Sequence, residues 1–205
     1  MSAMPPTRFL LLRHGETLWN QEHRIQGQLE TPLAPEGEAQ ARRWGVRLAD
    51  EGASRILASD LGRAVATAEI LNQRLKVPLA TDFRLREQDW GQWSGLTLDT
   101  LERDKGGELA ALAAKGWDFR PPGGESRREV LARMLAALED AAGTFPGQRI
   151  LVVSHLGAIK CLTYHLLGRD FQASDSKPKL LARRALHRIA WNGKDFAVES
   201  LNEEL

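Results

Sequence analysis

The sequence predicts a layered α/β fold with a largely parallel central sheet. Short apolar runs alternate along the chain with longer stretches whose apolar residues recur at helical spacing. The runs Phe9-Leu10-Leu11-Leu12 and Ile150-Leu151-Val152-Val153 are apolar at every position, as strands buried on both faces are. The chain is 205 residues long, with 42% hydrophobic and 27% charged residues, an ordinary globular composition. This predicts one domain over 1–205, with an insertion over about residues 88–125.

The elements follow in order. Phe9–Leu12 is the first strand. Pro35-Glu36-Gly37-Glu38 opens a helix with proline and acids in its first turn, Ala41, Trp44 and Leu48 line its inner face, and Gly52 ends it. Residues 55–59 form the second strand. Asp60 is the expected N-cap of the next helix, whose buried face is Leu61, Ala64, Val65, Ala68, Leu71 and Leu75. Residues 79–85 read as a third strand. The 88–125 stretch holds three tryptophans, Gly106-Gly107, Pro121-Pro122 and Gly123-Gly124, and reads as short helices and loops forming a lid. Ser126 to Ala142 is an amphipathic helix with Val130, Met134, Leu138 and Ala141 inward. Residues 149–154 form the central strand and 156–167 the helix after it. Residues 186–191 and 196–201 flank the turn pair Asn192-Gly193 and read as a closing hairpin or two edge strands.

Composition excludes several classes. The net charge is +1, so no overall field draws the chain to nucleic acid or to a membrane surface. Arg183-Arg184 reads as solvated surface. No apolar run is long enough to span a bilayer, and Met1 to Thr7 lacks the apolar core of an export signal. The single cysteine, Cys161, precludes an intrachain disulfide and suits a cytoplasmic setting. It reads as a buried structural thiol.

The chemistry sits at the strand ends. Arg13-His14-Gly15-Glu16 directly follows the first strand, and ligands of open α/β sheets bind at that end. Glycine at 15 permits a sharp turn and close approach to a ligand. An arginine offers a planar fork of donors to phosphate oxygens, and a histidine can act as a nucleophile. A motif of four residues arises by chance in about one chain per thousand of this size. Three further pieces accompany it: Ser59-Asp60-Leu61-Gly62-Arg63-Ala64, Leu85-Arg86-Glu87-Gln88-Asp89-Trp90-Gly91, and Val152-Val153-Ser154-His155. Taken singly, Arg63 reads as surface, His155 as a satisfied core residue and Glu87 as half of an ion pair with Arg84 or Arg86. Jointly they supply what phosphoryl transfer needs: cations for the nonbridging oxygens, an in-line nucleophile and a proton donor. Arg13 and Arg63 would bind the oxygens, with His155 as a third donor if protonated, and His14 would attack. Its other ring N–H should rest on a backbone carbonyl, fixing the tautomer. Glu87 would be the general acid and later the base, which needs a carboxyl able to hold a proton, through burial or an apolar neighbour such as Trp90. This set needs no metal and no cofactor.

Together these pieces resemble the histidine phosphatase superfamily, which includes the phosphoglycerate mutases, from about Phe9 to about Asn202. The resemblance implies a three-layer α/β/α fold with a mostly parallel sheet. It also implies that His14 carries the phosphoryl group, that Arg13, Arg63 and His155 bind phosphate, and that Glu87 donates the proton. Asn20, Gln26 and Gly27 would contact substrate, and Leu156 would border the phosphate. Three positions depart from the family pattern. Leu156 stands where glycine is frequent and is expected to shift a phosphate-facing amide. Glu30 stands where aspartate is usual. Gly62 is unusual before Arg63 and is expected to loosen that helix start.

The cofactor-dependent mutases resemble the chain less well, being longer and carrying Phe-x-Gly-Trp where Ile25-Gln26-Gly27-Gln28 stands. A lid with Trp90, Trp93, Leu96, Trp117 and Phe119 is more similar to that of small broad-specificity phosphatases. Those aromatics either admit a hydrophobic leaving group or pack the lid. The expected partner is a small phosphate ester as substrate, and the chain is expected to be a monomer or homodimer. Alternatives are a phosphoglycerate mutase, a sugar-phosphate or α-ribazole phosphate phosphatase, and, most weakly, a phospho-ligand binding module without turnover.

Overall fold

The computed structural model describes residues 5–171, 181–182 and 184–205. Strand β1 (Thr7–Arg13) is followed by the short helix α1 (Leu18–Gln21) and by α2 (Pro35–Leu48). Then come β2 (Arg55–Ala58), α3 (Gly62–Leu75) and β3 (Leu79–Thr81). The lid region contributes α4 (Leu98–Ala113). The chain returns through α5 (Arg127–Thr144), β4 (Arg149–Ser154) and α6 (Leu156–Leu166), and closes with β5 (Ala185–Trp191) and β6 (Phe196–Glu204).

The six strands form one sheet in the order β3-β2-β4-β1-β5-β6. Pairs β1–β4, β2–β4 and β2–β3 are parallel, whereas β1–β5 and β5–β6 are antiparallel. Alternation along β1 explains its unbroken apolar run. Phe9 and Leu11 join the core under α5 and α6, while Leu10 and Leu12 join the one under α2 and α3. Both faces are therefore dry, and the fold is the expected three-layer α/β/α with a mostly parallel sheet.

The helices form for the expected reasons. Pro35 opens α2, and Ala41, Trp44 and Leu48 are buried. Gly52 follows a short 3-10 turn with φ 66°. Ser126 and Glu129 make a reciprocal capping box on α5, with Val130, Met134 and Leu138 fully buried. Cys161 lies buried in α6, and burial pushes its thiol up to about 12. Asn192 starts the β5–β6 turn, its side-chain oxygen accepting the amides of Lys194 and Asp195. Among the described residues no helix is long and apolar enough to cross a membrane. Arg184 is exposed and pairs with Glu16 at 3.4 Å, whereas Arg183 lies outside the described residues.

Three expectations need correction. The third strand stops at Thr81, and Phe83–Leu85 is a 3-10 turn capped by the Asp82 side chain. An Asx cap offered the backbone a local partner in place of a ladder. Asp60 does not cap α3, whose N-cap is Leu61. The Asp60 carboxylate is held by the Arg86 guanidinium at 2.7 and 2.6 Å, a charged pairing stronger than an amide cap. Val65 is half-buried, and Thr67 takes its place inward.

His187 of β5 is 2% exposed, and its Nδ1 accepts the Asn202 amide at 3.1 Å. Burial lowers its pKa to about 4. The fold thus holds this ring neutral, while the unfolded chain protonates it near pH 6.5. Its contribution is intact above pH 6.5 and is lost as pH falls toward 4, by up to about 3 kcal/mol. Thermal melts between pH 7 and 4.5 should therefore fall less steeply for His187→Gln, which keeps an acceptor but does not titrate. Parallel curves for the two proteins would remove His187 from the acid response.

Candidate active site

Neighbouring strands bring the site together. β4 lies between β1 and β2, so residues just past their carboxyl ends meet. The His14 amide donates to the Ser154 carbonyl at 3.0 Å, and the Ser59 amide to the Val153 carbonyl at 2.9 Å. His14, His155 and Ser59 therefore sit side by side, and Arg63 follows in the first turn of α3. The ring centroids of His14 and His155 are 5.1 Å apart.

A cavity of about 290 Å³ opens over this edge. Arg13, His14, Arg63 and Glu87 line it, as do Asn20, Gln26, Gly27 and Leu156. His155 does not line it: the ring is fully buried behind His14.

His14 Nδ1 lies 2.7 Å from the Gly15 carbonyl oxygen. Only an N–H can bond a carbonyl, so Nδ1 carries the proton and Nε2 keeps its lone pair. Burial, then Arg13 and Arg63, lower the ring's pKa well below the ordinary value, against the Gly15 bond, which raises it. Burial and the two arginines thus favour the neutral ring. Gly15 itself differs from expectation. A Cβ there would lie 2.7 Å from the Gly37 carbonyl, so contact with α2 requires the glycine.

Arg63 is 1% exposed. Nη1 and Nη2 donate to the carbonyls of Leu29 and Gly27 at 2.9 and 2.7 Å. The guanidinium is thus clamped by the loop after α1, with each terminal nitrogen retaining a second N–H. Burial lowers its pKa, while Glu87 and Glu30 oppose that shift; it remains a cation. Gly27, at φ 50°, serves this clamp through its carbonyl. A Cβ there would meet Ser94 Oγ at 2.6 Å.

Gly62 and Glu30 belong together. The Gly62 amide donates to both Glu30 carboxylate oxygens, at 3.2 and 2.9 Å, so Glu30 supplies the cap that α3 otherwise lacks. A Cβ at Gly62 would fall 2.7 Å from Glu30 Oε2. The glycine thus admits the Glu30 cap at the helix start.

His155 is also kept neutral, by burial first and then by Arg63, His14, Arg13 and Arg133. Its Nε2 lies 2.8 Å from Ser59 Oγ, which accepts the Leu61 amide at 3.3 Å. That hydroxyl keeps its proton and a second lone pair, so it can pair with Nε2 in either ring tautomer. No described group bonds the buried Nδ1. The protonated donor expected at this position is not what the site holds, because burial keeps the ring neutral.

Glu87 escapes the surface ion pairs that offered the plainer reading. Arg84 pairs with Asp82 and Asp140, and Arg86 with Asp60. The Glu87 carboxylate instead accepts the amides of Gly157 at 3.1 Å and Ala158 at 3.2 Å. Gly157 was missed by sequence reasoning, which stopped at its neighbour Leu156. A Cβ on Gly157 would lie 2.3 Å from Glu87 Oε1. Gly157→Ala should leave Tm within a few degrees and lower kcat by about 10-fold through displacement of that carboxylate. An unchanged kcat would show that the carboxylate tolerates the shift.

Asn20 spends its side-chain oxygen on the Thr17 amide in the capping box of α1, and Gln26 accepts the Thr31 hydroxyl at 2.9 Å. Each keeps its amide NH₂ as a donor. Most of the lid aromatics are structural. Trp93 and Phe119 are buried with Ile25 and Leu101, Leu96 packs against them, and Trp117 packs against the α5–α6 core. Of the five lid residues singled out, only Trp90 lines the cavity. Ile25, Leu98 and Leu156 add further apolar wall.

A model of the histidine phosphatase superfamily (branch 1) matches residues 9–204. The chain belongs to that superfamily. It is 44% identical over 158 residues to the probable phosphoglycerate mutase GpmB of Salmonella typhi, covering 77% of this chain and 74% of the relative. Among solved structures, it resembles a mycobacterial glucosyl-3-phosphoglycerate phosphatase in complex with VO3. The identity is 29% and the TM-score 0.85, over 97% of this chain and 100% of the other. It also resembles a putative α-ribazole-5′-P phosphatase from Escherichia coli K-12, with 26% identity and a TM-score of 0.81 over 96% of each chain.

Proposed function

We propose that this chain hydrolyses small phosphomonoesters through a phosphohistidine on His14, with Glu87 as general acid and then base. The observation that carries the reading is the fixed neutral tautomer of His14, set between two arginines on the cavity wall. Arg13 and Arg63 bind the nonbridging oxygens, while the neutral His155 ring packs behind the nucleophile, off the cavity wall. His14 Nε2 attacks phosphorus as the ester P–O bond breaks, and Glu87 gives its proton to the departing alkoxide. Water then attacks the phosphohistidine, Glu87 takes a proton from it, and the N–P bond breaks to release phosphate. The arginines neutralise charge that a metal would otherwise meet.

The wall beyond the phosphate combines Trp90, Leu98 and Ile25 with His23, Arg24 and Lys160. This suits an organic leaving group of mixed character, and small sugar or glycerate esters fit it in size and polarity. The cytoplasm is the compartment that matches a chain with one buried thiol. The test is phosphate release from a panel of phosphomonoesters with a chelator present. Chelator-resistant release supports the reading and ranks substrates.

The Salmonella relative's name favours a second reading, a phosphoglycerate mutase. It requires conversion of 3-phosphoglycerate to 2-phosphoglycerate, stimulated by 2,3-bisphosphoglycerate, with little phosphate released. The same assay with that substrate separates the two.

A further inference from the structure

Glu87 belongs to no helix or strand: it follows the 3-10 turn at 83–85 and enters the lid. A general acid on a loop must still be held to within a fraction of an ångström. The group that holds it lies outside the cavity. Arg133, on α5, has a side chain only 14% exposed. Its Nη1 donates to the carbonyls of Arg84 at 2.7 Å and Arg86 at 2.6 Å, and its Nη2 to the Glu87 carbonyl at 2.9 Å. Three carbonyls within four residues, the last on Glu87 itself, thus converge on one guanidinium.

Glu125, at the far end of the lid, orients that guanidinium. Its carboxylate accepts Arg133 Nε and Nη2, both at 3.0 Å. The same carboxylate accepts the Asp89 amide at 3.0 Å and Gln28 Nε2 at 3.2 Å, and Gln28 Nε2 also donates to the Glu87 carbonyl at 3.1 Å. Both sides of Glu87 are therefore tied to one ion pair, while its carboxylate reaches forward to the α6 amides. Neither Arg133 nor Glu125 lines the cavity.

We infer that Arg133 and Glu125 are positioning residues for proton transfer: they set where the Glu87 carboxyl meets the leaving-group oxygen. This rests on the phosphatase reading above. A pair serving stability alone would need only each other. Here its donors and acceptors are spent on the backbone of residues 84–89. Lysine cannot replace the arginine, because a point ammonium cannot serve three carbonyls and a carboxylate in one plane.

The inference has a signature that general loss of stability lacks. A general acid matters for a poor alkoxide leaving group and little for an activated phenolate, which departs unprotonated. The experiment measures kcat and KM on an alkyl phosphate and on p-nitrophenyl phosphate. The proteins are wild type, Arg133→Lys, Glu125→Gln and the reference Glu87→Gln, each checked by thermal melting. Both positioning variants should lose at least about 10-fold in kcat on the alkyl ester, as misplacement of a catalytic group does. On the aryl ester the pre-steady-state burst of p-nitrophenol, which reports phosphohistidine formation before water attacks, should slow by under about 3-fold, because an aryl oxide departs unprotonated. Equal losses on both esters, in step with a fallen Tm, would overturn the inference. If Arg133→Lys does not fold, Glu125→Gln decides by the same criterion. Wild type inactive on both esters would instead overturn the phosphatase reading, and Glu87→Gln without discrimination between them would remove Glu87 from the acid role; either result carries the inference with it.

Discussion

His14→Ala should release no measurable phosphate from any ester, a loss of at least about 10⁴-fold in kcat, as when a covalent nucleophile is removed. The fold should survive. His14 is small, sits at the sheet edge rather than within either core, and bonds the carbonyl of its own neighbour. Arg13 and Arg63 remain, and Arg63 is clamped by backbone groups that the substitution leaves alone. Inorganic phosphate binding should therefore persist, as read by calorimetry. Turnover within about 10-fold of wild type would overturn the nucleophile assignment, since general acid–base catalysis alone supplies ~10²–10⁴-fold.

Glu87→Gln should reduce kcat on alkyl phosphates by about 10²–10⁴-fold, the usual span of proton-transfer catalysis. Glutamine fits the same space and its carbonyl can accept one of the amides from Gly157 or Ala158, but it has no proton to give. The loss on p-nitrophenyl phosphate should be far smaller in the step that forms the phosphohistidine. Water activation also uses Glu87, so a burst of p-nitrophenol followed by slow turnover is expected. A single slow phase without a burst would place the defect in the first step. Equal loss on both esters would mean that Glu87 acts through phosphate binding instead.

Most of the fold was legible because its signals are local. The unbroken apolar runs at 9–12 and 150–153, the proline start of α2 and the Ser126–Glu129 cap each follow from a few adjacent residues. Asp60 and the third strand were misread because the winning partner is distant or competes locally: Arg86 takes the Asp60 carboxylate, and the Asp82 side chain turns the chain at Phe83. The candidate catalytic cluster was readable because its residues lie next to strand ends. What surrounds them was not. Gly157 is needed only because Glu87 arrives from 70 residues away, and Gly62 is explained only by Glu30, from a different loop. The lid aromatics show the limit of composition, since burial of Trp93 and exposure of Trp90 to the cavity depend on packing that spacing does not encode.

The strand order has a consequence for synthesis. β1 and β2 make no ladder with each other; each pairs with β4, which begins at Arg149. A ribosome-bound chain of about 140 residues holds Arg13, His14 and Arg63, but β1 then lacks both of its sheet neighbours, β4 and β5, and β2 lacks β4. Such unpaired strands favour association with other chains. Insertion of a central parallel strand is a non-local event of the kind that slows folding. The nascent enzyme should therefore gain its phosphate-binding capacity in one late step, when residues 149–155 leave the exit tunnel and slide between strands made long before.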